Sequence, residues 1–122
     1  MLTAVQLIRR SVHPLKLVII NAGYPFGKGV AYSAHTSTYL LNVRAINMSA
    51  FPDEKEHFLN WVYQHEQYSN IDRSLIANVY IPRKLYGAYL SYVWDETITQ
   101  KKPFIEVTLL QDIDTDIHRK EN

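Results

Sequence analysis

LKLVIINAGYPFGKG, residues 15–29, joins a compact run of branched apolar residues to a segment of glycine, proline and tyrosine. The run Leu15–Ile20 reads as a strand, and because it is apolar on both faces it is expected to lie between layers, as in a parallel sheet. Upstream, Ala4, Val5, Leu7 and Ile8 recur at helical spacing over residues 3–10, opposite Gln6, Arg9 and Arg10. The two arginines close that helix where its dipole favours cations. Met1 falls in the first turn, and Pro14 separates helix from strand. Helix, short turn and buried strand form half of a βαβ unit whose first strand would lie before Met1.

Downstream, residues 21–47 read as a long loop. Loops of that length inside a compact domain are usually functional or disordered, or the assignment is wrong. A helix start is expected over residues 49–56, with Asp53 as N-cap and Glu56 completing a capping box. Phe58, Leu59, Trp61 and Val62 supply its buried stripe up to about Glu66. Residues 77–81 read as short and extended, ending at Pro82. A second helix is expected from Arg83 to about Thr99, with Leu85, Tyr86, Tyr89, Leu90, Val93 and Trp94 as its apolar side. Gly87 costs this helix about 1 kcal/mol of propensity, which close packing or a ligand would explain. After Pro103, alternation of Ile105, Val107 and Leu109 with Phe104, Glu106 and Thr108 predicts a strand.

The whole is one α/β domain of 122 residues, 47% hydrophobic. A net charge of +1 gives no reason to expect nucleic acid or an anionic membrane surface. There is no cysteine, which removes disulfides, thiolate metal sites and thiol nucleophiles together and fits a reducing, cytoplasmic setting. No apolar run approaches the length of a membrane span, and the N-terminus lacks the pattern of a signal peptide.

Single residues carry little chemistry by themselves. Asp112, Asp114 and Asp116 imitate the start of a calcium loop, but Ile117 replaces the required glycine and the late glutamate is missing, so they read as a solvated strand face. His57 and His65, eight apart, are too distant along a helix for one metal and read as ordinary helix histidines. His35 is a loop histidine without an evident partner. Ser33, Ser37 and Thr38 form no nucleophile elbow. Tyr32, Tyr39, Tyr80 and Tyr86 suit a core or an interface better than a stacking platform. Gly27 and Gly29 permit positive φ or a close backbone approach, yet GYPFGKG matches neither GxGxxG nor the phosphate loop GxxxxGK[ST]. On these grounds alone the segment is either a turn-rich surface loop or a ligand loop.

Read as strings, GKGVAYSAHTSTYLLNV (residues 27–43), NMSAFPDEKEHFLNWV (residues 47–62) and YIPRKLYGAYL (residues 80–90) resemble the bacterial FAD/NAD(P)-binding oxidoreductase-like proteins over nearly the whole chain. That family is similar to the flavoprotein monooxygenases in its doubly wound, Rossmann-like FAD domain. The resemblance implies an N-terminal part of a longer protein, lacking the first strand and its glycine-rich phosphate motif. It implies that Gly27, Gly29, Val30, Ala31 and Tyr32 lie beside the cofactor and that Asn42 approaches the flavin end. Arg83 is implied either to anchor its helix or to contact substrate or cofactor. Asn21 stands where related dinucleotide binders place an acid for the ribose hydroxyls. Tyr39 and Arg44 depart from the histidine and proline of the family pattern.

The expected function is therefore a partial FAD-binding module of a flavin-dependent oxidoreductase, not catalytic alone, with weak or absent FAD binding. NAD(P)H is a candidate second cofactor of the complete protein. The alternative is a small non-enzymatic interaction or ligand-binding domain that keeps the family's core. Without a first strand, an exposed sheet edge invites pairing between copies, so a homo-oligomer is expected.

Overall fold

The computed structural model describes residues 1–23, 25–32 and 39–112. His35, Ser33, Ser37, Thr38, Asp114 and Asp116 lie outside the described residues. Helix α1, Leu2–Arg10, buries Ala4, Val5 and Ile8 of its predicted apolar face and leaves Leu7 exposed, and Ser11 ends it by donating its N–H to the Leu7 carbonyl at 3.0 Å. Strand β1, Leu15–Ile20, pairs in parallel with β2, Ile105–Leu110, in the register Leu15↔Ile105 to Ile20↔Leu110. Between them run α2 (Gly29–Tyr32), a 3-10 turn (Ala45–Asn47), α3 (His57–Tyr63), α4 (Glu66–Ser69), α5 (Arg73–Asn78) and the long α6 (Arg83–Gln100). The result is an α/β architecture with several helices and a parallel pair of strands.

The strand pair corrects one expectation. β1 is not buried on both faces; its residues alternate, with Lys16, Val18 and Ile20 exposed and Leu15, Leu17 and Ile19 half-buried. The exposed side continues across Glu106, Thr108 and Leu110, and a Lys16–Glu106 ion pair at 3.3 Å lies on it. Two strands alone leave this face without a covering layer among the described residues, so Val18 and Ile20 stay exposed beside their register neighbours Thr108 and Leu110.

The core sits among the helices instead. Phe58 and Tyr89 are fully buried, with ring centroids 4.7 Å apart, and Val5, Leu59, Val62, Ile76, Leu90 and Val93 pack around them. Along α6 the buried residues are Tyr86, Gly87, Tyr89, Leu90, Val93 and Thr97, one helical face, with Leu85 and Trp94 half-buried at its margins.

Further expectations change. Residues 49–56 form turns, not a helix start: the Glu54 N–H reaches the Phe51 carbonyl at 3.1 Å and the His57 N–H the Glu54 carbonyl at 2.9 Å. The capping box does not form, because α3 begins at His57 with no side-chain cap, while Glu56 is engaged by Arg73 at 3.2 Å. α3 stops at Tyr63, and a separate turn of helix, α4, follows. Of residues 77–81, read as extended, Ala77 and Asn78 instead close a helix over 73–78, while Val79 is extended; the helix is started by Asp72, whose carboxylate accepts from the Ser74 N–H at 2.8 Å. The long loop also contains two helical turns, and it is tied down: the Leu41 N–H donates to the Ile81 carbonyl at 2.8 Å and the Ala45 N–H to the Val79 carbonyl at 3.0 Å.

Candidate functional site

Just past the carboxyl ends of the two strands lies a shallow cleft of about 430 Å³, lined by Asn21, Gly23, Pro25, Phe26, Leu109 and Gln111. Asn21 extends the ladder, its N–H donating to the Leu110 carbonyl at 2.8 Å. Gly23 has φ of +46°, a left-handed conformation that glycine adopts without strain. The chain then turns, with the Lys28 N–H bonded to the Pro25 carbonyl at 3.1 Å, and Phe26 sets its ring 4.7 Å from that of Trp94 on α6.

Gly27 and Gly29 both have positive φ, +81° and +53°. A Cβ on Gly27 would run into the Sδ of Met1, so the turn rests against the very start of α1. A Cβ on Gly29 would meet nothing within 4 Å. Val30 lies within α2, Ala31 is exposed, and Tyr32 turns its ring edge onto Tyr86 with centroids 5.0 Å apart. The same segment meets α6 at Gly87, where a Cβ would sit 2.6 Å from the Tyr32 carbonyl oxygen. Close packing is therefore the reason for this mid-helix glycine.

Arg83, one turn before Gly87 on the same helix, anchors the helix start. Its Nε donates to the Leu40 carbonyl at 3.0 Å and its backbone N–H to the Tyr39 carbonyl at 2.7 Å, beside the antiparallel bridge of Leu40 with Pro82. Asn42, two residues beyond Leu40, is exposed. The structure thus brings Gly27, Gly29 and Tyr32 together with the start of α1 and the first turns of α6, and holds Asn42 on a ribbon fixed to α6 by Arg83. Asn21 lines the carboxyl-edge cleft together with Pro25 and Phe26, which lead into the glycine turn.

One cluster escapes reading from sequence. His57 opens α3 and its Nδ1 lies 2.7 Å from the Tyr89 hydroxyl; that hydroxyl accepts from the Ala50 N–H at 3.2 Å. Arg9 stacks its guanidinium 3.9 Å from the Phe51 ring centroid and pairs with Glu54 at 2.7 Å. Burial pushes His57 below the usual histidine range; the nearby Glu54 carboxylate opposes that shift and Arg9 adds to it. Burial likewise raises Tyr89 and Tyr86 above the usual phenol range. His57 and Tyr89 are 32 residues apart in the chain, so no local spacing announces the pair. Its one trace in the sequence is that both positions belong to the strings that carry the family resemblance.

Among the described residues no group of three His, Asp or Glu is placed to hold a metal, and no helix is long and apolar enough to cross a membrane. Helices joined to a parallel strand pair, with a cleft at its carboxyl edge, define the class as α/β. The family model of the FAD-NAD(P)-binding proteins matches residues 1–122, and the chain belongs to that family. No curated protein and no solved structure matches it.

Proposed function

We propose that the chain is a partial FAD-binding module of a flavin-dependent oxidoreductase, one half of a cofactor site and not catalytic alone. The observation that carries this reading is the cleft at the carboxyl edge of β1 and β2, with Asn21 on its wall. In open α/β sheets ligands bind outside the carboxyl ends of the strands, and a partial doubly wound arrangement of this kind would take its dinucleotide there.

The residues present fit one section of the cofactor. A cleft of about 430 Å³ lies near the small end of ligand pockets, enough for a sugar and ring but not for a whole dinucleotide. The Asn21 side-chain amide offers an acceptor for a ribose hydroxyl without a carboxylate's charge. Gly29, open where a Cβ would be, lets backbone approach a ligand closely. The Val5 N–H is bonded to the Met1 carbonyl at 3.0 Å, so the amides of Leu2, Thr3 and Ala4 have no intrahelical acceptor beside this turn. Asn42 approaches the flavin end, while Arg83 positions the ribbon that carries it. Bound flavin supplies the redox chemistry; these residues bind and orient it.

Titrating FAD into the purified chain, with flavin fluorescence as the readout, tests the reading. Saturable quenching with a Kd between about 10 μM and 1 mM is expected, weakened by Asn21→Ala. Tight, stoichiometric FAD retained through purification would contradict the half-site. No saturable change up to millimolar FAD would favour the non-enzymatic binding domain instead.

A further inference from the structure

At the opposite end of the strands lies a cavity of about 360 Å³ that the cofactor reading does not use. Its walls are the second half of α1, the turns around Phe51 and Glu54, the start of α3 and the last turns of α6. Lys101 and Lys102, on its rim, reach the amino end of the sheet: Lys101 Nζ donates to the Ile105 carbonyl at 2.9 Å and Lys102 Nζ to the Ser11 carbonyl at 2.8 Å. From Gly87, where the glycine turn packs, to Thr97 on the cavity wall is about 15 Å along the helix. The two places are therefore distinct.

The lining has more hydrogen-bond donors than acceptors. Glu54 accepts from Arg9 and Glu96 from the Gln100 amide at 2.8 Å, so each carboxylate already has a partner. Each lysine gives one of its three N–H groups to a carbonyl and keeps two, and Arg9 keeps most of its five. The Tyr89 hydroxyl accepts from the Ala50 N–H and shares a hydrogen bond with Nδ1 of His57, whose neutral form burial favours; in the tautomer in which Tyr89 donates to Nδ1, the histidine proton sits on Nε2. That nitrogen has no partner among the described residues. Three cations stand against two carboxylates on the walls. Ile8, Phe51 and Val93 supply an apolar floor.

We infer that this cavity is a second small-molecule site, built for an organic carboxylate with a compact apolar body. The carboxylate accepts from His57 Nε2–H and the basic rim, and the apolar body lies on Phe51 and Val93. Benzoate is the probe and neutral benzamide its control, each titrated into the 15N-labelled chain while amide shifts are followed. Saturable shifts at Arg9, His57, Gln100 and Lys101 are expected with benzoate, at a Kd of about 1 mM or tighter, with benzamide at least tenfold weaker. His57→Asn keeps an acceptor for Tyr89 but removes the Nε2 donor, and it weakens benzoate by about tenfold. Lys101→Met weakens it several-fold without touching the Tyr89 network. Shifts that do not saturate, that map to other residues, or that benzamide reproduces at equal affinity overturn the proposal. So does benzoate affinity unchanged in both folded variants.

Discussion

His57 shows how a residue with no distinctive spacing acquires a defined physical state from its surroundings. Its ring is packed edge-on against Phe51 with centroids 4.6 Å apart, and Nδ1 is held by a fully buried tyrosine. Burial disfavours the imidazolium, so the folded chain binds a proton at lower pH than the unfolded chain, whose histidines titrate near 6.5. The sign follows from linkage: where the unfolded state binds more protons, stability rises with pH. Stability held at neutral pH is therefore lost as pH falls from about 6.5 through the lower folded value, and nothing changes above that window. The His57 ring resonances should titrate with a midpoint below that of a free histidine. Urea midpoints measured from about pH 7.5 down to pH 5 should fall for the wild-type chain and fall less for His57→Asn. Parallel profiles for the two proteins would show that His57 is not the group responsible.

The contact of α2 with α6 is an element-scale choice fixed by one atom's absence. Alanine at position 87 improves helix propensity by about 1 kcal/mol, so on a free helix Gly87→Ala stabilises. Here the new Cβ lies 2.6 Å from a backbone carbonyl, which cannot swing away as a side chain would. Overpacking of this kind costs about 1–3 kcal/mol, so the net expectation is a loss of about 1 kcal/mol, read as a lower urea midpoint. Loss of the Tyr32–Tyr86 ring contact should accompany it in the near-ultraviolet spectrum. A raised midpoint would mean that α2 does not press on α6 in solution. In the sequence, Gly87 stands out as a propensity cost that close packing or a ligand would explain; α1, α6 and β2 are legible because their apolar residues repeat at 3.6 or 2 residues, and β1 is legible as a strand from its apolar run but not in its one-sided burial. Shorter elements are not legible. Asp53 and Glu56 have the spacing of a capping box, but Arg73 engages Glu56 and tight turns consume the backbone before α3. Asp72 and Ser74 make the cap of α5, a helix of six residues too short to show periodicity in the sequence. For the candidate site, the glycine turn was legible as a place of special backbone, whereas the Met1 and Gly87 contacts that give it a location depend on the tertiary fold.

At the scale of the whole molecule, the strand pair is the feature that asks for company. Parallel strands are normally covered on both faces, yet Val18 is 59% exposed and Ile20 48%, on a sheet that has two strands among the described residues. The hydrogen-bond pattern says which groups are available. Leu15 and Asn21 both send their N–H toward β2, to the Phe104 and Leu110 carbonyls at 3.3 and 2.8 Å. Alternation then aims the N–H groups of Lys16, Val18 and Ile20 at the free edge. An open edge beside exposed apolar side chains is a template for pairing, and we propose that a second copy of this chain supplies the strand. Sedimentation at roughly micromolar concentration should give a dimer rather than a monomer. Val18→Pro removes one outward donor and leaves the ladder to β2 intact, because the N–H it deletes does not face β2. This variant should sediment as a monomer while its far-ultraviolet spectrum keeps the helical signal of α1 and α6. A wild-type chain that stays monomeric would refute the association outright. A dimer that survives Val18→Pro would move the interface from the edge of β1 to another surface.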